Sequence, residues 1–483
     1  MRTGAGRVAG LLAAVASVVL ADCSSATTGT SHRERSSTTA TSPTPTTPAS
    51  TPAITAGSTP TWLTYGGNFA RTAVDATDPA RTAAPRALWT SPALDGPVYG
   101  EPLVSGGTVY VATEHDTVYA LTASRGEVAW SLHLGSPASA GALPCGDITP
   151  DVGITSTMVI DAATQTLFAS AETSSGAGLA HVLVAIDLST HRVRWSRSLD
   201  QPGWSSAAQL QRTALAIASG DVLAGFGGHY GDCGSYHGWV VGVPESGSGT
   251  LEVYRVPSAN EGAVWAPSGV AVDGSGDVYV ATGNGGARPG QAFDHGNSVI
   301  ELSPQLAERQ YFAPSSWAQD NASDADLGST SPVLLGDGEV FEVGKSATAY
   351  LLGASALGGI GGQQASLRTC NSRGGSAYLA PDAYVVCSDD AQVEQVRVGP
   401  GTTLAHGWTW TSPTGGVGSP TIAGGVLWSI DAGAQKLYGV DLGTGTTRYV
   451  LNLGTGTPTH FAAPAAAAGM IVVAGSRAVE AFG

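Results

Sequence analysis

A repeat constrains this chain more than any other feature of its sequence. A unit of roughly 40 to 65 residues recurs along it, the period at which one supersecondary unit stacks on the next because no copy can bury its own apolar face. The most regular copy is 101–130. There Pro-Leu-Val-Ser-Gly-Gly supplies an inner strand and a turn, Thr-Val-Tyr-Val-Ala-Thr a second strand, Thr-Val-Tyr-Ala-Leu a third and Gly-Glu-Val-Ala-Trp a fourth. Apolar and polar residues alternate along these strands, as expected of half-buried antiparallel sheets.

Third strands of this kind read at Val118-Tyr119-Ala120-Leu121, Leu183-Val184-Ala185-Ile186-Asp187, Trp239-Val240-Val241-Gly242, Ser298-Val299-Ile300-Glu301-Leu302, Ala349-Tyr350-Leu351-Leu352, Val393-Glu394-Gln395-Val396, Leu437-Tyr438-Gly439-Val440-Asp441 and Ala478-Val479-Glu480-Ala481. That makes eight blades. The last copy lacks a fourth strand, and Ala87-Leu88-Trp89-Thr90 is a fourth strand with no blade before it. Pairing these two orphans closes a ring and leaves only short edges. The expected fold is therefore all-β: an eight-bladed β-propeller of four-stranded antiparallel blades, closed by the N-terminal strand on the C-terminal blade. The 66 glycines and a charged fraction of only 12% suit many short strands and tight turns. Trp89, Trp130 and Trp195 are expected to pack between blades.

Three stretches are expected along the chain: a signal peptide at 1–23, a tether at 24–60 and the propeller at 61–483. Arg2 and Arg7 precede an apolar run, 8–20, whose 13 residues suit a signal-peptide core and fall short of a membrane span. Leu20-Ala21-Asp22-Cys23 is similar to a lipoprotein signal, which makes Cys23 a lipidation candidate, with ordinary secretion as the alternative. The tether is almost wholly Ser, Thr, Pro, Ala and Gly, too polar to order itself by burial. An extracytoplasmic location follows, with contact to a membrane only through a lipid anchor. In that compartment the four cysteines after Cys23 are expected to pair, Cys145 with Cys233 and Cys370 with Cys387; zinc is the weaker option because no Cys-x-x-Cys occurs. A net charge of −16 and only two lysines, Lys345 and Lys436, argue against nucleic acid as a partner.

The run Val118 to Trp130, Val-Tyr-Ala-Leu-Thr-Ala-Ser-Arg-Gly-Glu-Val-Ala-Trp, resembles the repeat of PQQ-dependent quinoproteins and their non-enzymatic propeller relatives. Cys145-Gly146-Asp147-Ile148-Thr149-Pro150, Tyr236-His237-Gly238-Trp239 and Asp326-Leu327-Gly328-Ser329 resemble secreted members of the same group. In the quinoprotein alcohol dehydrogenases a Trp supports the flat cofactor, a Glu and an Asn ligate Ca²⁺, an Asp is the base and a Lys or Arg contacts the quinone. The resemblance implies Trp265 and Lys345 as cofactor-binding residues, Glu172 and Asn284 as metal ligands, and Asp324 or Asp326 as the catalytic base, with PQQ and Ca²⁺ as cofactors. Hard oxygen ligands suit Ca²⁺, and a carboxylate suits abstraction of an alcohol proton. Each residue also has a structural reading: Asn284 as a turn residue between glycines, Trp265 as packing, the two aspartates as loop caps, Lys345 as an exposed lysine.

Two functions follow. The first is a monomeric binding or scaffold module holding a protein, glycan or small molecule on its loop face. The second is a PQQ- and calcium-dependent dehydrogenase of an alcohol or sugar. The family's adjacent-cysteine pair is missing here, since Gly146 follows Cys145, and its Trp-Asp-Tyr-Asp run reads Ser323-Asp324-Ala325-Asp326. No Cys-x-x-Cys-His haem site is present. These departures favour the binding module. His229, Asp232 and His237 beside Cys233 read as a disulfide-pinned loop, with a metal site as the less favoured alternative.

Overall fold

The computed structural model describes residues 61–483 except Thr455, Thr457, Pro458 and His460. The signal peptide, the tether and Cys23 lie outside the described residues. Among the described residues no helix is long and apolar enough to cross a membrane.

The protein is an eight-bladed β-propeller. Blade 1 runs Leu103–Ser105, Thr108–Ala112, Thr117–Thr122 and Val128–His133, each strand antiparallel to the last. The inner strands of blades 2 to 8 are Val159–Asp161, Ala216–Ala218, Ala271–Val272, Val333–Leu334, Ala377–Leu379, Thr421–Ala423 and Ala465–Ala467. All eight third strands read from the sequence form. The ring closes as expected: Ala87–Thr90 lies antiparallel to Val479–Phe482, with Ala87 opposite Phe482 and Thr90 opposite Glu480.

The alternating pattern works because both faces of each inner and middle strand are covered by the neighbouring blades, so Val109, Val118, Leu121, Ile471 and Phe482 are all buried in one continuous core. The outer strands carry tryptophans that lock one blade to the next. Trp89 of blade 8 gives its Nε1–H to Ala123 O at 2.7 Å and lies against Gly126 in the last turn of blade 1, where a Cβ would collide with the ring. Trp195 repeats this on Gly247 and Trp408 on Gly445. Trp130 instead stacks on His191, centroids 5.0 Å apart.

Ahead of the first blade the chain fills the central channel. Trp62 exchanges both backbone hydrogen bonds with Val104 of blade 1, at 2.8 Å each. Leu63 O then accepts from Ile160 of blade 2, Phe69 O from Val272 of blade 4, Ala70 O from Leu334 of blade 5, Thr72 O from Tyr378 of blade 6 and Ala73 O from Ile422 of blade 7. Thr64 Oγ1 donates to Leu215 O beside blade 3, and Val74–Asp75 adds a parallel strand to Thr421–Ala423. One short segment thus visits seven blades in order and satisfies inner-strand groups that would otherwise face an empty channel. Arg71 anchors it. Its guanidinium, buried by all its surroundings, donates to Val270 O at 2.8 Å, Thr64 Oγ1 at 2.9 Å and Tyr65 O at 3.0 Å.

Candidate functional site

Each connector into an inner strand passes one face of the ring before it reaches the plug: Arg212 precedes Leu215, Trp265 precedes Val270, Asp326 precedes Leu334 and Arg373 precedes Tyr378. Side chains early in these connectors therefore gather above the plug. They enclose a cavity of about 570 Å³, walled also by the hairpin loops of blades 3, 4 and 5. Its volume falls in the range of small-molecule sites.

Trp265, Asn284, Asp324, Asp326 and Lys345 all line this cavity. Lys345 Nζ lies 2.6 Å from Asp326 Oδ2 and 2.9 Å from Asp324 Oδ1. Asn284 donates its backbone N–H to Asp326 Oδ1 at 2.7 Å and its Nδ2–H to Asp324 Oδ1 at 2.9 Å. The ammonium also sits 5.4 Å from the centre of the Trp265 ring. Two glycines allow this closeness. A Cβ on Gly283 would fall 2.7 Å from Asp326 Oδ1, and one on Gly344 would strike the backbone of Asp326 and Leu327. Burial pushes the Asp326 carboxyl up despite the ammonium beside it. Burial opposes the charge of Lys345, but Asp326 and Asp324 outweigh it and hold the ammonium above the ordinary lysine value.

Asn284 does not adopt the left-handed backbone of a tight turn. It is held from behind by amides that sequence reasoning missed: Asn297 Nδ2 donates to Asn284 Oδ1 at 3.3 Å and to Asn321 Oδ1 at 2.8 Å, and Asn297 Oδ1 accepts from Leu327 N at 2.6 Å. Arg212, Arg373 and Phe461 also line the cavity without having been anticipated. Isolated residues in loops of irregular length give no periodic signal.

Glu172 is elsewhere. The resemblance puts it among the metal ligands, but its strand runs on through Thr166–Ser175 and the hairpin partner through Gly178–Asp187, because no turn residue interrupts either before Gly176. Glu172 therefore stands in the sheet opposite His181, its carboxylate 3.7 Å from His181 Nε2, and is not part of the cavity wall. Its neighbours are Glu114 and Asp116, both buried. Burial and the facing carboxylates raise Asp116 to about 8, and burial raises Glu114 to about 7.

As arranged, these residues do not fit a calcium ion. The cation between Asp324 and Asp326 is the protein's own ammonium, the amide oxygen of Asn284 faces Asn297, and Glu172 does not reach the cavity. The only group among the described residues whose ligand atoms cluster tightly enough for a metal is Cys370, Cys387 and Glu394, and there the two cysteines form a disulfide.

Both expected disulfides form, Cys145–Cys233 and Cys370–Cys387. The first ties the connector into blade 2 to the blade 3 loop whose His229, Tyr230, Gly231 and Asp232 wall the cavity. Asp232 in that loop accepts from Tyr236 Oη at 2.6 Å, and Arg255 lies 2.7 Å from His237 Nε2, which leaves the loop held by the disulfide and hydrogen bonds.

The family described as Outer membrane protein assembly factor BamB matches residues 80–297, somewhat less than half of the chain. No curated protein matches the sequence. Among solved structures, the quinohemoprotein alcohol dehydrogenase of Comamonas testosteroni superposes with a TM-score of 0.68 at 14% identity, covering 88% of this chain and 80% of that one. A second such dehydrogenase, from Pseudomonas putida HK5, gives 0.67 at 13% identity over 87% of this chain and 80% of its own. BamB from Moraxella catarrhalis gives 0.56 at 14% identity over 82% and 99%. At these identities the likeness is one of fold, and the same fold carries an enzyme in two cases and an assembly factor in the third.

Proposed function

We propose that this chain, an eight-bladed propeller with PQQ-like repeats, is an exported binding module that takes a small molecule in the axial cavity on its loop face. One observation carries the reading: the cavity is roomy, while its would-be catalytic cluster is already complete, with Asp324, Asp326, Asn284 and Lys345 satisfying one another. A carboxylate bound to an ammonium is poorly placed to abstract a proton, and a cluster without a gap has no place for a metal. The two disulfides support an extracytoplasmic location. The test is a thermal-shift screen of the full chain against small metabolites. Ligands should raise the melting temperature and lose that effect when Ala263→Phe fills part of the cavity; a screen in which no compound acts through the cavity would overturn the reading.

A second reading is favoured by the convergence of Trp265, Asn284, Asp326 and Lys345 on one cavity: a PQQ- and calcium-dependent dehydrogenase. Its test is separate. Adding PQQ and Ca²⁺ should then produce a bound quinone absorbance and alcohol-dependent dye reduction, both lost in Asp326→Asn. The binding-module reading expects no dye reduction.

A further inference from the structure

The tightest group of metal-binding side chains among the described residues stands apart from the cavity wall, at the seam of blades 5 and 6. There one oxygen of Glu394 and the sulfurs of Cys370 and Cys387 all lie within 4.8 Å of one another. Local structure brings them together. Cys370 follows Ala365–Arg368, the outer strand of blade 5, on the way to blade 6. In blade 6 Cys387 ends the second strand, Asp382–Cys387, and Glu394 belongs to the third, Gln392–Gly399. Val385 stands opposite Glu394 and Cys387 opposite Gln392, so Cys387 and Glu394 project from one face of that sheet. Both cysteines are buried in an apolar cluster with Leu351, Val385 and Val396.

The bridged state leaves this group unsatisfied. Glu394 Oε2 is buried and has no hydrogen-bond partner among the described residues, and the disulfide beside it carries no hydrogen to give. Among the described residues no carboxylate or imidazole is gathered with Cys145 and Cys233 in this way. Two thiols would offer the carboxylate donors. Two thiolates and the carboxylate would supply three of the four ligands of a tetrahedral zinc ion, a metal that soft sulfur selects over calcium. We propose that Cys370, Cys387 and Glu394 form a redox-gated zinc site, closed as the disulfide and opened by reduction, with water as the fourth ligand. Opening consumes one dithiol, which passes two electrons and two protons to the disulfide and is itself oxidised to a disulfide. Zinc then replaces the two thiol protons, which leave to solvent. Glu394 is only half-buried, which gives the ion and the water a way in. Bridge and ion each tie the connector from blade 5 to blade 6, so the ring stays closed over this seam in either state.

Cobalt(II), an optical stand-in for zinc, tests this on the full chain reduced with a phosphine in the absence of oxygen. One cobalt per chain should bind, with a thiolate-to-metal charge-transfer band and the visible bands of a tetrahedral site. Zinc should bleach both and raise the melting temperature of the reduced protein, with no such effect on the oxidised protein. Cys387→Ser should abolish the bands, whereas a chain carrying both Cys145→Ser and Cys233→Ser should keep them. Glu394→Gln should weaken zinc by at least the roughly tenfold that even a hydrogen-bonding neighbour of a ligand is worth. A reduced protein that keeps its β-sheet circular dichroism yet shows no cobalt bands would overturn the proposal, as would one that unfolds and is not restored by zinc. Bands that survive Cys387→Ser but vanish without Cys145 and Cys233 would place the metal at the other pair and overturn it too. An unchanged zinc affinity in Glu394→Gln would remove the carboxylate from the site.

Discussion

Two arginines lie near the axis of the ring, and their surroundings differ in kind. Arg71, in the plug, has its donors taken by Val270, Thr64 and Tyr65, all protein oxygens. Arg212, in the cavity wall above, is half-buried, faces the Phe461 ring and has no hydrogen-bond acceptor among the described residues. A buried guanidinium that holds a fold together is saturated by that fold; one half-buried on a cavity wall keeps its donors open to water. The same contrast runs through the two regions. The plug is a chain of backbone hydrogen bonds to seven blades, while the cavity wall is made of side chains, some paired with one another and Arg212 open to the cavity.

The contrast breaks most violently if the ring is opened. A chain ending at Arg477 loses the strand that bridges Met470–Ala474 to Ala87–Thr90, and calorimetry should show no cooperative unfolding transition. Next in size is Arg71→Met, which strands several buried acceptors in the plug. Urea unfolding should register a loss of about 3–5 kcal/mol, and a loss below about 1 kcal/mol would contradict the structural role given to Arg71.

A pH series sharpens the comparison from another side. Burial raises Glu101, which accepts from the plug at Gly66, to about 8, and raises Glu114 to about 7 and Asp116 to about 8. The folded protein thus keeps protons that the unfolded chain releases around its ordinary values of 3.8 to 4.5. Their stabilising effect is complete below those values and is lost as pH rises toward about 8, so the melting temperature should fall across that range. Asp116→Asn should flatten the slope. The smallest effect belongs to Asp324→Asn: Asp324 is 70% exposed, so the change should move stability by less than about 1 kcal/mol.

Much of the ring is legible in the sequence because its physics is local. Alternation in runs such as Thr117–Thr122, and the unmatched strand at Ala87–Thr90, suffice for eight blades and their closure. The positions of Trp265, Asn284, Asp326 and Lys345 on one cavity follow from loops that share a face. What sequence could not display is long-range. The plug at 62–75 bonds through its backbone to partners up to several hundred residues away, and backbone groups carry no residue code. Arg212 looks like any loop arginine until its connector is seen to bring it to the cavity wall, and Glu172 looks like a loop ligand until the ten-residue hairpin strands carry it into the sheet beside His181.

The claim that the axial cavity is a ligand site is tested most directly by mapping arginine-selective labelling of the full chain by mass spectrometry, with and without a compound that raises its melting temperature. The account predicts that Arg212, half-buried on the cavity wall, is labelled in the free protein and protected by that compound, while the buried Arg71 resists labelling in both. Equal labelling of Arg212 with and without the compound would contradict it.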